Sequence, residues 1–226
     1  MSLKTLYHGS DHVVGKPVFG LGDPHTDYGL GFYCAENIEI AKEWSARREN
    51  GSFVNRYTLE TKGLKNLNLS SLRYTTLHWL AVLLRNRELA VDSKIATESK
   101  RFILEHFSVD VSGYDTITGY RADDSYFTFA MDFLNNTISV QMLTEAMKLG
   151  KLGEQFVLKS EKAFKRVEFI SAEPVVFETY FKRRTDRDAD AISRYAELRN
   201  KPTDKDALFV LDMIRNGVDE DDSRIR

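Results

Sequence analysis

The chain holds one cysteine, Cys34, among its 226 residues. A single thiol excludes an intramolecular disulfide and any multi-cysteine zinc site, and it fits a reducing compartment. The histidines offer a metal no better footing, since His12, His25, His78 and His106 show neither His-x-x-x-His nor carboxylate spacing. Residues 1 to 25 lack the charged start and apolar core of a signal peptide, and no apolar run approaches membrane-spanning length. A strong excess of one charge is missing too. The formal net charge is −2 with acids and bases well mixed, so composition neither argues for nor excludes a nucleic-acid partner. Internal repeats and low-complexity segments are also absent. These absences lead to the expectation of a soluble, cytoplasmic chain with no membrane partner.

Core-forming residues are plentiful. Apolar residues make up 42% of the chain and aromatics 12%, enough for one folded domain with elaborations. Alternation places strands at 5–8, 52–60, 64–69, 110–119 and 155–159, with 163–170 and 175–180 extended. Helical periodicity and cap residues place helices at 36–48, from 74, at about 92–106, from Asp123 or Asp124 to about 134, and from Ser139 to about 149. In the first of these, Ile38, Ala41 and Trp44 share a face while Glu43, Arg47 and Arg48 point outward. Residues 9–27 read as an irregular loop and 182–188 as a charge-rich break before helices at about 189–199 and 207–214. Strands at both ends with helices between predict an α+β fold, a split sheet with a helical insertion at about 70–150. The expected division is a domain over 1–180 and a C-terminal helical extension with an acidic tail over 181–226.

Two short stretches carry the functional signal. In Asp27-Tyr-Gly-Leu-Gly-Phe-Tyr-Cys-Ala35, Gly29 and Gly31 permit a tight turn and close approach of the backbone to a ligand. The strand that follows presents Tyr33 beside bare backbone amides, which suits a flat polar ligand. The plain alternative is an ordinary turn entering a sheet. The second stretch is Tyr7-His-Gly-Ser10.

Together these blocks resemble the first two signature motifs of the ADP-ribosyltransferase superfamily, in the branch that contains diphtheria toxin and the poly-ADP-ribose polymerases. The chain to about residue 175 is similar to a bacterial family of uncharacterised ADP-ribosyltransferase-like proteins, DUF3990. Further matching stretches are Gly119-Tyr-Arg-Ala-Asp-Asp-Ser-Tyr-Phe127 and Gly153-Glu-Gln-Phe-Val-Leu-Lys-Ser160. The resemblance implies an ADP-ribosyltransferase-like split sheet with NAD as substrate. It implies that His8 and Ser10 bind the adenosine ribose with Gly9 allowing close approach, and that Tyr33 stacks on the nicotinamide. Tyr28, by its position just before the glycines rather than by the resemblance, is expected to frame the ligand from the other side. Gln155 stands where many active members place a glutamate, and Glu154, on the opposite face of the strand, does not replace it. A neutral amide keeps hydrogen bonding but brings no charge to a cationic transition state, which puts polymer elongation in doubt.

Arg121, Asp123 and Asp124 form another polar cluster. Either an aspartate caps the next helix with Arg121 neutralising it, or the cluster is functional, with Arg121 touching phosphate or Asp124 serving as a general base in place of the missing glutamate. Lys182, Arg183 and Arg184 read as a solvated break, with a phosphate-contacting patch as the alternative. The function expected is a mono-ADP-ribosyltransferase that releases nicotinamide and modifies a protein, nucleic acid or small molecule. By analogy the setting is toxin-like, with an antitoxin or other partner protein. The alternatives are an NAD glycohydrolase, an NAD- or ADP-ribose-binding module without turnover, or an interaction protein that keeps the motifs for its fold.

Overall fold

The computed structural model describes residues 2–47, 51–122, 124–149 and 153–225. Seven strands, β1 (Leu3–Ser10), β2 (Phe32–Cys34), β3 (Phe53–Glu60), β4 (Asn66–Asn68), β5 (Thr116–Tyr120), β6 (Glu154–Leu158) and β7 (Val167–Pro174), form two sheets among these residues. One sheet has the order β1-β3-β7 and is wholly antiparallel; the other has the order β2-β6-β5-β4, with β4 and β5 as its parallel pair. The sheets meet where Tyr7 and Ala35 exchange backbone hydrogen bonds, both at 2.8 Å. That bridge brings His8 at the end of β1 next to Tyr33 on β2.

Among the described residues eight α-helices accompany the sheets: α1 (Ile38–Ser45), α2 (Thr76–Asn86), α3 (Lys94–His106), α4 (Asp124–Leu134), α5 (Val140–Ala146), α6 (Glu161–Phe164), α7 (Phe177–Arg199) and α8 (Val210–Asn216). Ser93 and Ser139 cap α3 and α5 by accepting from the amides three residues on, which satisfies an N–H that the first turn leaves orphaned. The α+β class expected from the alternation of patterns is observed, with α2 to α5 inserted around β5. Their apolar faces, including Trp79, Phe129 and Phe133, build the largest core. A smaller core of Leu6, Cys34, Leu59, Phe156 and Leu158 lies between the sheets. α1 lies on β1 and β3 through Ile40, Ala41 and Val54. It comes so close that a Cβ at Gly9 would stand 2.7 Å from the Ser45 amide and collide with the Ala41 carbonyl.

Three expectations need correction. Residues 177–180 of the extended segment and the break at 182–188 are instead the first half of one continuous helix, α7, with 175 and 176 outside it. No Gly or Pro interrupts it, and its charges pair at helical spacing: Lys182 with Asp186 at 2.5 Å and Arg194 with Asp190 at 3.0 Å. The charge run is therefore a helix surface, and the junction expected at 180/181 falls inside α7. Beyond it, Tyr195, Leu198, Val210 and Met213 enter the main core. The extended run at 163–170 is divided between α6 and β7. Glu43, expected outward, is buried because Arg187 of α7 bonds its carboxylate. Among the described residues, no helix is long and apolar enough to cross a membrane.

Candidate functional site

A cleft of about 410 Å³ opens where the ends of β1, β2 and β6 face α1 and the residues after β5. Six residues singled out by sequence line it: His8, Gly9, Ser10, Tyr33, Arg121 and Gln155. Asp27, Trp44 and Arg87, which were not, are among the other residues that line it.

His8 is fixed by its Nδ1–H, which donates to the Tyr33 carbonyl at 2.7 Å, and its ring lies 4.4 Å from that of Phe32. With that tautomer Nε2 is an acceptor. Burial lowers the His8 pKa below the usual 6.5, outweighing the hydrogen bond that raises it; the nearby Arg121 charge lowers it further. In the unfolded chain the imidazole takes a proton more readily than in the fold. Stability contributed here is therefore complete above about pH 6.5 and declines as pH falls from there to the lowered native pKa, by up to about 1.4 kcal/mol per pH unit. Urea unfolding across pH 5 to 8 with His8→Gln as reference measures this; equal slopes would remove His8 as the cause.

The Tyr33 ring faces the cleft while its hydroxyl is fully engaged. It accepts from Thr26 Oγ1 at 2.6 Å and from the Tyr28 amide at 3.0 Å, and it donates to the Gly29 carbonyl at 2.6 Å. Burial first, with Asp27 adding to it, drives the phenol pKa far up, so the group stays neutral. Tyr33 thus pins the 26–29 turn that holds Asp27. Lys159 clamps the same turn by donating to the Tyr28 carbonyl at 2.7 Å and to the Leu30 carbonyl.

The glycines of this turn serve packing more than ligand approach. Gly29 has φ +69°, and a Cβ there would lie 2.7 Å from Asn86 Oδ1. At Gly31 a Cβ would meet Val157 at 2.7 Å. Tyr28 does not frame the cleft as expected: its ring is buried in the main core and its hydroxyl donates to the Tyr120 carbonyl at 2.7 Å. Ser10 lines the cleft, but its hydroxyl donates to the His12 carbonyl at 2.6 Å and accepts from Asn55 at 2.8 Å. Asp123 lies outside the described residues, as does the side chain of Asp124.

The floor of the cleft is the network that sequence reasoning missed. Asp27 is 4% exposed, and its Oδ1 accepts from Arg87 Nε at 3.0 Å and Nη2 at 2.7 Å. Its Oδ2 accepts from the Ala122 amide at 3.1 Å and from Gln155 Nε2 at 2.6 Å. Gln155 Nε2 also donates to the Tyr120 carbonyl at 3.2 Å. Both of these partners of Gln155 are acceptors, which fixes the amide orientation: nitrogen inward, Oε1 left as the group the side chain has to offer. Glu154, on the other face of β6, is exposed as the strand alternation requires. Cys34 is buried, and burial pushes its thiol pKa far up, consistent with an inert residue. No group of His, Cys, Asp and Glu among the described residues is arranged to hold a metal ion.

Residues 4–169 match the family described as proteins of unknown function, DUF3990. The chain belongs to the DUF3990 family. No curated protein and no solved structure matches it. The DUF3990 segment carries every cleft residue named above, from His8 to Gln155, whereas α7 and α8 lie beyond it. In this DUF3990 protein α7 still braces the cleft wall, since Arg183 donates to Glu39 at 2.6 Å and Arg187 bonds Glu43, both on α1.

Proposed function

We propose that the protein is an NAD-dependent mono-ADP-ribosyltransferase with an ADP-ribosyltransferase-like split sheet, acting in this cleft. The observation that carries the proposal is the convergence of His8, Tyr33 and Gln155 from three separate strands on one cleft of ligand size. In the reaction the bond between the nicotinamide nitrogen and ribose C1′ breaks, and its electron pair leaves with nicotinamide. A lone pair of the acceptor closes on C1′, and the acceptor's proton passes to solvent. Tyr33 gives the nicotinamide a rigid face, with stacking contributing about 1 kcal/mol. The Nε2 lone pair of His8 takes a ribose hydroxyl. Gln155 Oε1 accepts from the 2′-hydroxyl beside C1′, as a glutamate oxygen would.

Negative charge then comes from Asp27, one hydrogen bond behind Gln155. It polarises the amide without touching substrate, so it is a positioning residue. Arg87 offsets part of that charge, which favours single transfer over elongation. The setting we propose is cytoplasmic, in keeping with the lone buried thiol, and the acceptor is a protein or nucleic acid.

A second reading, a module that binds NAD or ADP-ribose without turnover, is favoured by one observation. Both oxygens of Asp27 are already committed, leaving a neutral amide nearest the reacting carbon. Incubating the protein with cell lysate and NAD labelled in its adenylate half separates these readings. Label on a macromolecule, lost in Tyr33→Ala, is the expected result. Free ADP-ribose alone means hydrolysis, and unchanged NAD that still binds in a Tyr33-dependent way means a binding module.

A further inference from the structure

Asn55 is 0% exposed and does not line the cleft, yet one end of the cleft rests on it. It stands on β3 directly opposite His8 of β1, so its side chain shares a face of the sheet with His8 and, diagonally, Ser10. Its Nδ2 donates to the Ser10 hydroxyl at 2.8 Å and to the His8 carbonyl at 3.2 Å, with a longer approach to the His12 carbonyl at 3.4 Å. Its Oδ1 accepts from the Val14 amide at 2.9 Å. Oxygens on one side and an N–H on the other fix which way the amide points.

The next inward residue of β3 continues the pattern. The Tyr57 hydroxyl donates to the Val14 carbonyl, so side chains of one strand hold both backbone groups of Val14. Residues 11–14 form neither helix nor strand, and these side chains stand in for a ladder there. Ser10, at the start of this stretch, is left with little freedom. A hydroxyl has one proton and two lone pairs. The Ser10 proton goes to the His12 carbonyl at 2.6 Å, and Asn55 occupies one lone pair. What Ser10 keeps for the cleft is the other lone pair, and Asn55 sets its direction. His8 Nε2 is an acceptor too. This end of the cleft therefore presents two acceptors, and a single buried amide grips both the Ser10 hydroxyl and the His8 backbone.

We propose that Asn55 is a positioning residue for ligand binding: it touches no substrate, and it fixes where the Ser10 lone pair and the end of β1 stand for a ligand hydroxyl. That the ligand is NAD rests on the function proposed above. In that reading the ribose held by His8 and Ser10 belongs to the adenosine half, away from the C1′ that reacts. Asn55 then governs NAD affinity and leaves kcat alone.

Calorimetric titration with NAD, beside steady-state nicotinamide release, tests this on wild type, Asn55→Ala, Ser10→Ala and the double variant. Asn55→Ala should bind NAD about tenfold more weakly with kcat within about twofold of wild type. The loss in the double variant should fall well short of the sum of the single losses, because both act through one hydroxyl. Since Asn55→Ala also opens a buried cavity, Asn55→Asp is the second variant. Its carboxylate keeps the volume and the Val14 bond but has no donor, and protonation at lower pH returns one. The ratio of its NAD Kd to that of wild type, which carries the same His8, Asp11 and His12, should narrow between about pH 8 and about pH 5.5. Wild-type affinity in either variant, additive losses in the double variant, or a ratio flat with pH overturns the role of Asn55. Asn55-dependent binding without cleavage supports that role and removes only turnover. Absence of NAD binding by wild type removes the proposed function and this role with it.

Discussion

Asp27→Asn is expected to lose about a hundredfold in the rate of nicotinamide release while changing only a few atoms' chemistry. The native carboxylate accepts four hydrogen bonds, from Arg87 twice, from the Ala122 amide and from Gln155. An asparagine has one acceptor oxygen and one donor nitrogen. If the nitrogen faces Gln155 and Ala122, donors oppose donors at distances of 2.6 and 3.1 Å. If it faces Arg87, the guanidinium meets a donor instead. No orientation satisfies all four bonds. With the asparagine nitrogen toward Gln155, the clash is relieved when Gln155 turns its amide over, placing Oε1 toward residue 27 and the NH2 toward the cleft at the expense of its bond to the Tyr120 carbonyl. A group that accepted from the ribose hydroxyl then donates, and it no longer favours positive charge at C1′.

The rate constant kcat should fall while NAD affinity stays within a few-fold, because the contact strengthens in the transition state. Stability should drop by about 2–4 kcal/mol, from buried groups left poorly paired. Steady-state kinetics beside thermal unfolding separates the two effects. An Asp27→Asn protein with wild-type kcat would show that the network behind Gln155 has no part in the chemistry.

Tyr33→Phe carries the second large effect, and it divides the ring from its hydroxyl. If only the aromatic face mattered, phenylalanine would be neutral. The hydroxyl, however, satisfies the Tyr28 amide and the Gly29 carbonyl and accepts from Thr26. Removing it leaves the Tyr28 amide of a buried turn without its partner, at about 1–3 kcal/mol, while the Gly29 carbonyl keeps the Thr26 hydroxyl at 2.8 Å. The same turn sets the height of Asp27 beneath Gln155, so slackening it reaches the floor of the cleft. Tyr33→Phe should lower stability by about 1–3 kcal/mol and slow nicotinamide release about tenfold or more. Unfolding by urea and the release assay, run on one preparation, read both quantities. Retention of both would reduce Tyr33 to its ring.

How much of this was legible in the chain follows from sequence distance. The 7–10 and 27–35 stretches pointed to His8 and Tyr33 through their resemblance to known motifs, and the structure brings both to one cleft with Gln155 and Arg121. Those residues sit in short contiguous motifs, which a resemblance can match. Asp27 stood at the head of a quoted stretch but gave no local sign of its role, because Arg87 is 60 residues away and Gln155 is 128. Only the fold puts a carboxylate behind that glutamine. Trp44 was hidden for a different reason: it keeps helical spacing with Ile38 and Ala41, and an apolar helix face reads as core even where it ends at a cleft.

The error over α7 came from charge. A run such as Lys182-Arg-Arg resembles a solvated break until its i,i+4 partners, Asp186 among them, are counted. The same oversight left Glu43 pointing to solvent, since the arginine that buries it lies 144 residues further along. Tyr28 misled because a tyrosine beside a ligand turn and a tyrosine supporting that turn from the core have the same sequence.

The central claim is that this cleft cleaves NAD, and nicotinamide release by the purified protein tests it most directly. Free nicotinamide would be followed by chromatography with wild type, Gln155→Ala and Asp27→Asn side by side, with and without lysate as a source of acceptors. Release by wild type that falls in both variants is the predicted result. Absence of release from wild type under every condition, or equal release from all three proteins, would contradict the account.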